Sequence, residues 1–196
     1  MVSANSAKVT DPKRTYALAA AWGLAEATLF FIVPDVLLSW VAMKNLRRAL
    51  IACAWVLLGA LIGGCIVWII GANDPGPTRA VFDVIPAISE LMISDVREQL
   101  DSRGIVALFV GPLIGTPYKI YALEAAGAGF GLLIFLLISI PARLMRFLVV
   151  TLFAAAASRV LRRFVSMRVL QVLHAVMWIS FYAWYFHVMA NYGLSQ

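Results

Sequence analysis

Long apolar stretches alternate with short polar segments along this chain, and the lengths of the apolar stretches are its clearest structural signal. Five apolar blocks can be delimited: 15–43, 49–70, 105–129, 130–157 and 169–190. A helix needs about 20 consecutive, predominantly apolar residues to span a bilayer. Blocks 49–70, 130–157 and 169–190 therefore predict one transmembrane helix each.

The first block, 15–43, does not fit a single span. It is longer than the about 20 residues of one helix and shorter than the about 40 of two, and Pro34, followed by Asp35, interrupts it. Cytoplasmic flanks of membrane segments carry an excess of Lys and Arg, and both flanks of this block are basic. The block therefore predicts a re-entrant helical hairpin on the cytoplasmic side. The flanking residues are Lys8, Lys13 and Arg14 before the block and Lys44, Arg47 and Arg48 after it.

Block 105–129 is interrupted in a similar way, by Pro112 and Pro117. Segment 71–104, which precedes it, carries a net negative charge and is expected outside, with an amphipathic helix on the membrane surface. We therefore expect a second re-entrant hairpin, entering from the outside. The apolar residues at helical spacing are Val81, Val84, Ile85, Ile88, Leu91, Met92, Val96 and Leu100.

Hairpin plus span then occurs twice, with opposite orientation, before one further span. Such an inverted repeat with paired broken segments points to a binding site near the bilayer midplane, where the two tips meet. The N-terminal segment 1–14 is expected in the cytoplasm and the tail 191–196 outside, with a single membrane domain over 15–190. A basic cluster after block 130–157 supports this orientation. It consists of Arg159, Arg162, Arg163 and Arg168.

Composition excludes an ordinary soluble domain. Of the 196 residues, 63% are hydrophobic and 13% charged, and the mean hydropathy is +0.90, whereas soluble domains are about 45–50% apolar and about 25% charged. The net charge of +6 comes from Lys and Arg beside apolar segments, so it does not indicate nucleic-acid binding. The basic start resembles a signal peptide, but the apolar stretch continues past any cleavage point, which favours a retained segment.

Six ionisable residues lie within the apolar blocks, and their formal charges cancel. A charged side chain at the bilayer centre costs roughly 2.5–3.5 kcal/mol even on insertion scales, so these residues require partners. They either form ion pairs that hold the hairpins in place, or they bind a substrate or carry a coupling proton. The six candidates are Glu26, Asp35, Lys119, Glu124, Arg143 and Arg146.

The residues at the two breaks allow alternatives. Asp35 is a proton carrier, an exposed turn residue or a helix cap. Lys119 follows Pro117 and, with freed backbone N–H groups, suits a phosphate or carboxylate, unless it only reaches the outer interface. Glu124 is a partner for Lys119 or caps the returning arm. The proline breaks themselves are Pro34, Pro112 and Pro117.

Arg143 and Arg146 share one face of a helix, near the middle of their span. They are expected to receive an anionic head group or to lock Glu26 and Asp35. In the last span, His174 and an aromatic run predict packing and lipid contact. We find no metal-ligand spacing, phosphate-binding loop, nucleophile elbow or dinucleotide fingerprint, so no enzyme activity, metal or cofactor is predicted. The second histidine of that span is His187, and the aromatic run consists of Trp178, Phe181, Tyr182, Trp184, Tyr185 and Phe186.

Residues 26–38, acidic and broken by Pro34, resemble the first motif of the DedA superfamily, also called the VTT or SNARE-associated membrane protein family, in its YqaA-like branch. Residues 111–119 and then 141–147 resemble its second motif and the segment after it, although Ile114 stands where many members carry arginine. The resemblance implies facing re-entrant hairpins and lipid transport, with proton-motive-force dependence in some members. It implies membrane carboxylates at Glu26 and Asp35, with Lys119 and Arg143 as basic partners.

These observations favour a membrane lipid translocase, a flippase or scramblase, that moves a phospholipid or polyprenyl-phosphate-type anionic lipid across a bacterial inner membrane. The alternative is a proton-coupled transporter of a small solute or ion, and a third class is a non-transporting scaffold. The expected partners are membrane lipids, protons as a coupling ion, and a second copy of the chain in a homo-oligomer.

Overall fold

The computed structural model describes residues 11–83 and 88–193, and within these ranges the chain is helical apart from its connecting segments, with no β-strand. Val84, Ile85 and most of segment 1–14 lie outside the described residues. The helices are α1 (Pro12–Thr28), α2 (Asp35–Ala42), α3 (Leu46–Asn73), α4 (Pro75–Asp83), α5 (Glu90–Arg103), α6 (Ile105–Val110), α7 (Tyr118–Ala125), α8 (Leu132–Leu161) and α9 (Met167–Gly193).

Helices α3, α8 and α9 are long and apolar enough to cross a membrane. The three predicted spans are therefore confirmed as helices of sufficient length and hydrophobicity. Helix α8 packs antiparallel to α3. Near the end of α3, the indole of Trp68 donates a hydrogen bond to the carbonyl oxygen of Phe130, just before α8 (3.1 Å). Near the start of α3, Sγ of Cys53 lies 3.2 Å from the hydroxyl oxygen of Thr151, which is in the second half of α8.

Small residues let α1 lie directly against α3. A Cβ added at Gly59 would collide with the carbonyl oxygen of Ala20, and one added at Gly63 would meet the Cβ of Ala27. Because these contacts advance in the same direction along both helices, α1 and α3 run parallel. Helix α1 therefore begins at the same end of the bundle as α3 and ends part-way along it.

The chain reverses between α1 and α2, over the non-helical residues 29–34. Helix α2 then runs along α8. At its start, Oδ2 of Asp35 lies 2.7 Å from Nη2 of Arg146, and just after its end the carbonyl oxygen of Met43 accepts a hydrogen bond from the hydroxyl of Ser158 (3.2 Å). Since α8 is antiparallel to α3, this path returns the chain to the beginning of α3.

A second reversal, over residues 111–117, separates α6 from α7. Helix α7 leaves it along α3, with Tyr118 against Gly64 and Leu123 against Gly71. The second reversal therefore lies at the same level of α3 as the end of α1. The three predicted breaks all lie outside the helices: Pro34, Pro112 and Pro117.

The segment predicted to form one amphipathic helix contains two helices instead, α4 and α5. Ser89 begins a new helix because its side chain accepts a hydrogen bond from the backbone N–H of Met92 (3.3 Å). Helix α5 buries Ile93, Val96 and Leu100 in the same apolar cluster as α7, so its apolar face packs on protein. Leu91, assigned to the apolar face by its spacing, is exposed.

The close approach of α1 and α3 predicts that Gly59→Ala destabilises the protein by about 1–3 kcal/mol, because the added methyl group would displace the backbone at Ala20. Gly76→Ala is the matched control, since a Cβ there meets nothing within 4 Å. Thermal unfolding of the purified variants in detergent measures the difference. Equal midpoints for the two variants would contradict this packing.

Candidate functional site

The two reversals meet through a lysine. The ammonium group of Lys119, at the start of α7, donates a hydrogen bond to the carbonyl oxygen of Phe30 in the first reversal (2.9 Å). Lys119 is only 2% exposed, so it does not reach an outer interface, and that alternative is wrong. A buried ammonium group is costly unless it is paired or hydrogen-bonded, and the carbonyl oxygen supplies one partner. The two reversals are therefore in contact through this hydrogen bond.

Glu26 and Arg143 form a buried ion pair beside this contact. Arg143 lies on α8 and donates from Nη1 to Oε1 of Glu26 (3.3 Å) and from Nη2 to Oε2. The guanidinium carbon, Cζ, also lies over two aromatic rings, 4.6 Å from the ring centroid of Tyr118 and 5.0 Å from that of Phe147. These rings stabilise the cation where water is excluded. The pair fixes the end of α1 to the middle of α8.

Asp35 and Arg146 form the second pair, one turn along α8. Arg146 donates from Nη2 (2.7 Å) and Nε (3.0 Å) to Oδ2 of Asp35. Its Nη1 donates to the carbonyl oxygen of Pro112 in the second reversal (3.1 Å). Arg146 therefore joins α2 to the second reversal. Asp35 is 3% exposed, which contradicts its interpretation as an exposed turn residue.

Glu124 is not the partner of Lys119. It lies at the far end of α7 and accepts hydrogen bonds from Nε and Nη2 of Arg79 on α4 (2.6 Å each). These bonds to a carboxylate raise the pKa of Arg79 above its ordinary value, because they stabilise the charged guanidinium. Glu124 thus attaches α4 to α7 and lies apart from the meeting of the reversals.

Two aromatic residues add hydrogen bonds to the backbone of the first reversal. The indole of Trp22 donates to the carbonyl oxygen of Ile32 (2.8 Å), and the backbone N–H of Val33 donates to the hydroxyl oxygen of Tyr182 on α9 (2.9 Å). Sequence reasoning missed both residues. The spacing of His174, Trp178 and Tyr182 at successive turns was a usable signal, since it places them on one helix face.

A cleft of about 180 Å³ opens between the reversals and α9. Glu26, Lys119 and Arg146 contribute polar atoms to its wall, and the rest is largely aromatic. The aromatic run of α9, predicted mainly to contact lipid and form an interfacial belt, therefore also forms a wall of the site. The aromatic lining residues are Phe30, Phe31, Tyr118, Trp178, Phe181, Tyr182 and Tyr185.

Charge and hydrogen bonding are incompletely balanced around this cleft. Two carboxylates, Glu26 and Asp35, face three cationic side chains, so one positive charge remains when all five are ionised. Lys119 has no carboxylate within ion-pair distance among the described side chains. Three buried atoms also lack a hydrogen-bond partner there, and such atoms require an explanation, for example water or a ligand. They are Oδ1 of Asp35, the hydroxyl of Tyr118 and Nε of Arg143.

His174, on α9, has a packing role. His174 Nε2 lies 2.7 Å from the hydroxyl of Ser39 on α2 and accepts a hydrogen bond from the indole of Trp178 (3.0 Å). Within residues 11–83 and 88–193, no three His, Cys, Asp or Glu side chains are arranged to hold a metal ion.

Comparisons with known protein families, with curated proteins and with solved structures find no match to this chain.

The buried pair predicts a strong coupling between Glu26 and Arg143. Glu26→Gln or Arg143→Gln alone should destabilise the protein by about 3–5 kcal/mol, because each leaves one charge buried and unpaired. The double variant should lose much less than the sum of the two. Chemical unfolding in detergent, with the exposed Arg168→Gln as control, measures this double-mutant cycle. Strictly additive losses would mean that the two side chains do not interact.

Proposed function

We propose that this protein is a membrane lipid translocase, a flippase or scramblase, that moves lipids with an anionic head group, and that it is a member of the DedA superfamily. The observation that carries the proposal is the excess positive charge at Lys119, in the wall of a cleft where the two reversals meet. A phosphate entering the cleft would neutralise that charge and provide acceptors for unpaired donors.

The membrane arrangement we propose is an inverted repeat of a re-entrant helical hairpin and a transmembrane helix, followed by α9. Helices α1 and α2 form the first hairpin, before α3. Helices α6 and α7 form the second, before α8. The parallel course of α1 and α3, and the contacts of Tyr118 and Leu123 along α3, support hairpins that enter from opposite ends.

An apolar tail fits the same cleft. Helix α9 has few contacts with the other helices; its described contacts are mainly with the first hairpin, through Ser39, Val33 and Phe31. Its aromatic residues beside the cleft offer apolar surface to acyl or prenyl chains while Lys119 and Arg146 hold the head group. In this mechanism, the polar wall lowers the barrier for the head group, and the chains remain in lipid.

One observation favours the alternative, a proton-coupled transporter. Oδ1 of Asp35 is buried and has no hydrogen-bond partner among the described residues, which leaves an acceptor position free there. Both carboxylates nevertheless lie in ion pairs with arginine, so each already has a cationic partner. We therefore rank lipid translocation first. Proton flux that depends on a particular solute in reconstituted vesicles would reverse that order.

The proposed topology predicts which positions are labelled from each side of the membrane. In a chain with Cys53 and Cys65 replaced by alanine, cysteines introduced at Lys13 and Lys44 should react with a membrane-impermeant maleimide from the same face. Cysteines at Arg103 and Gly127 should react only from the opposite face. All four positions are exposed or at helix ends. Labelling of Lys13 and Lys44 from opposite faces would exclude a first re-entrant hairpin.

The charge of Lys119 predicts the outcome of a lipid-flipping assay. Fluorescent phosphatidylglycerol should cross the bilayer faster in liposomes that contain the wild-type protein than in protein-free liposomes. Lys119→Gln should lower this flipping rate at least about tenfold, because it removes a charge-assisted hydrogen bond to the head group. Lys13→Gln, which removes an exposed charge, is the matched control.

The assay compares anionic and zwitterionic lipids, and polyprenyl phosphate, in the same vesicles. Wild-type rates equal to those of empty vesicles for every lipid would refute the proposed function. Equal slowing by both substitutions would refute the role of Lys119.

A further inference from the structure

A second polar cleft, of about 660 Å³, lies at the end of α8, away from the meeting of the reversals. Lys44, from the connection between α2 and α3, faces Arg159, Arg162 and Arg163 across it. None of the residues that line the cleft is acidic. Its volume falls within the about 300–1,000 Å³ typical of small-ligand sites. The fold has therefore gathered four cations from two distant parts of the sequence.

These four cations have no carboxylate partner among the described side chains. The ion pairs of the described residues involve Arg79, Arg143 and Arg146 only. Arg159 lies in the last turn of α8, Arg162 and Arg163 lie in the turn that follows the helix, and all three line the cleft. Like charges this close repel one another, and an anion between them would remove that repulsion.

Part of the lining of the cleft is apolar. Leu152, Ala155 and Ala156 of α8 continue from the basic rim towards the apolar middle of the helix. The small alanine side chains leave a groove, and the hydrogen bond from Ser158 to the carbonyl oxygen of Met43 holds its two walls together (3.2 Å). A basic rim above an apolar groove suits a molecule with a charged head and an apolar tail better than a free anion.

We propose that this cleft binds the head group of an anionic phospholipid from the leaflet at which the basic cluster lies. Arg162 is about 24 Å from Arg146 along α8, at 1.5 Å per residue, so the two sites are separate. The lipid would act as a bound structural partner that holds the connection between α2 and α3 against the end of α8. This proposal does not depend on translocation at the central cleft.

Native mass spectrometry of the detergent-solubilised full chain, titrated with phosphatidylglycerol, phosphatidylcholine or inorganic phosphate, tests the proposal. Arg159→Gln/Arg162→Gln/Arg163→Gln should bind phosphatidylglycerol about tenfold to a hundredfold more weakly than wild type. Lys13→Gln/Arg47→Gln/Arg168→Gln, which removes three charges outside the cleft, should bind it as wild type does. Lys119→Gln should also retain the lipid at this cleft, which separates a failure here from a failure of the proposed function.

A second variant keeps every charge and fills the groove. Ala155→Phe should weaken retention of phosphatidylglycerol severalfold while leaving any binding of inorganic phosphate unchanged. Equal affinity of wild type and the cleft triple variant for phosphatidylglycerol would overturn the proposal. So would an equal loss in the control triple variant, since that would indicate diffuse attraction by positive charge. Competition by inorganic phosphate at matched concentration, with no effect of Ala155→Phe, would identify a free-anion site instead.

Discussion

The structure depends on supplying hydrogen-bond partners to backbone that is not helical. A lipid environment offers none, so irregular segments at membrane depth persist only where protein or water covers their N–H and C=O groups. In the first reversal, side chains from three other elements provide them. Lys119 donates to the carbonyl oxygen of Phe30, Trp22 donates to that of Ile32, and Tyr182 accepts from the N–H of Val33. Arg146 does the same for Pro112 in the second reversal.

The same requirement explains why the buried charges are placed where they are. A cation that donates to a backbone carbonyl still carries its charge, which then needs a counter-ion in a medium of low dielectric. Arg146 satisfies both needs by contacting Pro112 and Asp35 together, and Arg143 is paired with Glu26 between aromatic rings. Lys119 meets only the first need among the described contacts. The unmet charge therefore lies where the two reversals are joined.

The sequence predicted the location of these features better than their partners. Block lengths and flanking charges were sufficient to find α3, α8 and α9 and the breaks at the prolines, because bilayer thickness and backbone chemistry act locally. The proposed pairing of Glu124 with Lys119 was wrong. Glu124 pairs with Arg79, which lies in a different element, and helix spacing relates residues only within one helix. Tyr182 was missed since an aromatic residue in a span is ordinarily read as lipid contact. The prediction of one amphipathic helix over this segment was wrong, because the side chain of Ser89 caps the start of a separate helix, α5.

The shared roles of Lys119 and Arg146 connect ligand binding to the geometry of the proposed cleft. Each side chain lines the cleft and also holds a carbonyl oxygen of a reversal. An anion that draws either donor towards itself must weaken that backbone contact, and the released carbonyl oxygen then requires water or a polar head group in its place. Entry of the ligand and loosening of the contact between the reversals are thus parts of one exchange of hydrogen bonds. An apolar ligand offers no such exchange, which is a physical reason why the proposed substrate carries a phosphate head group.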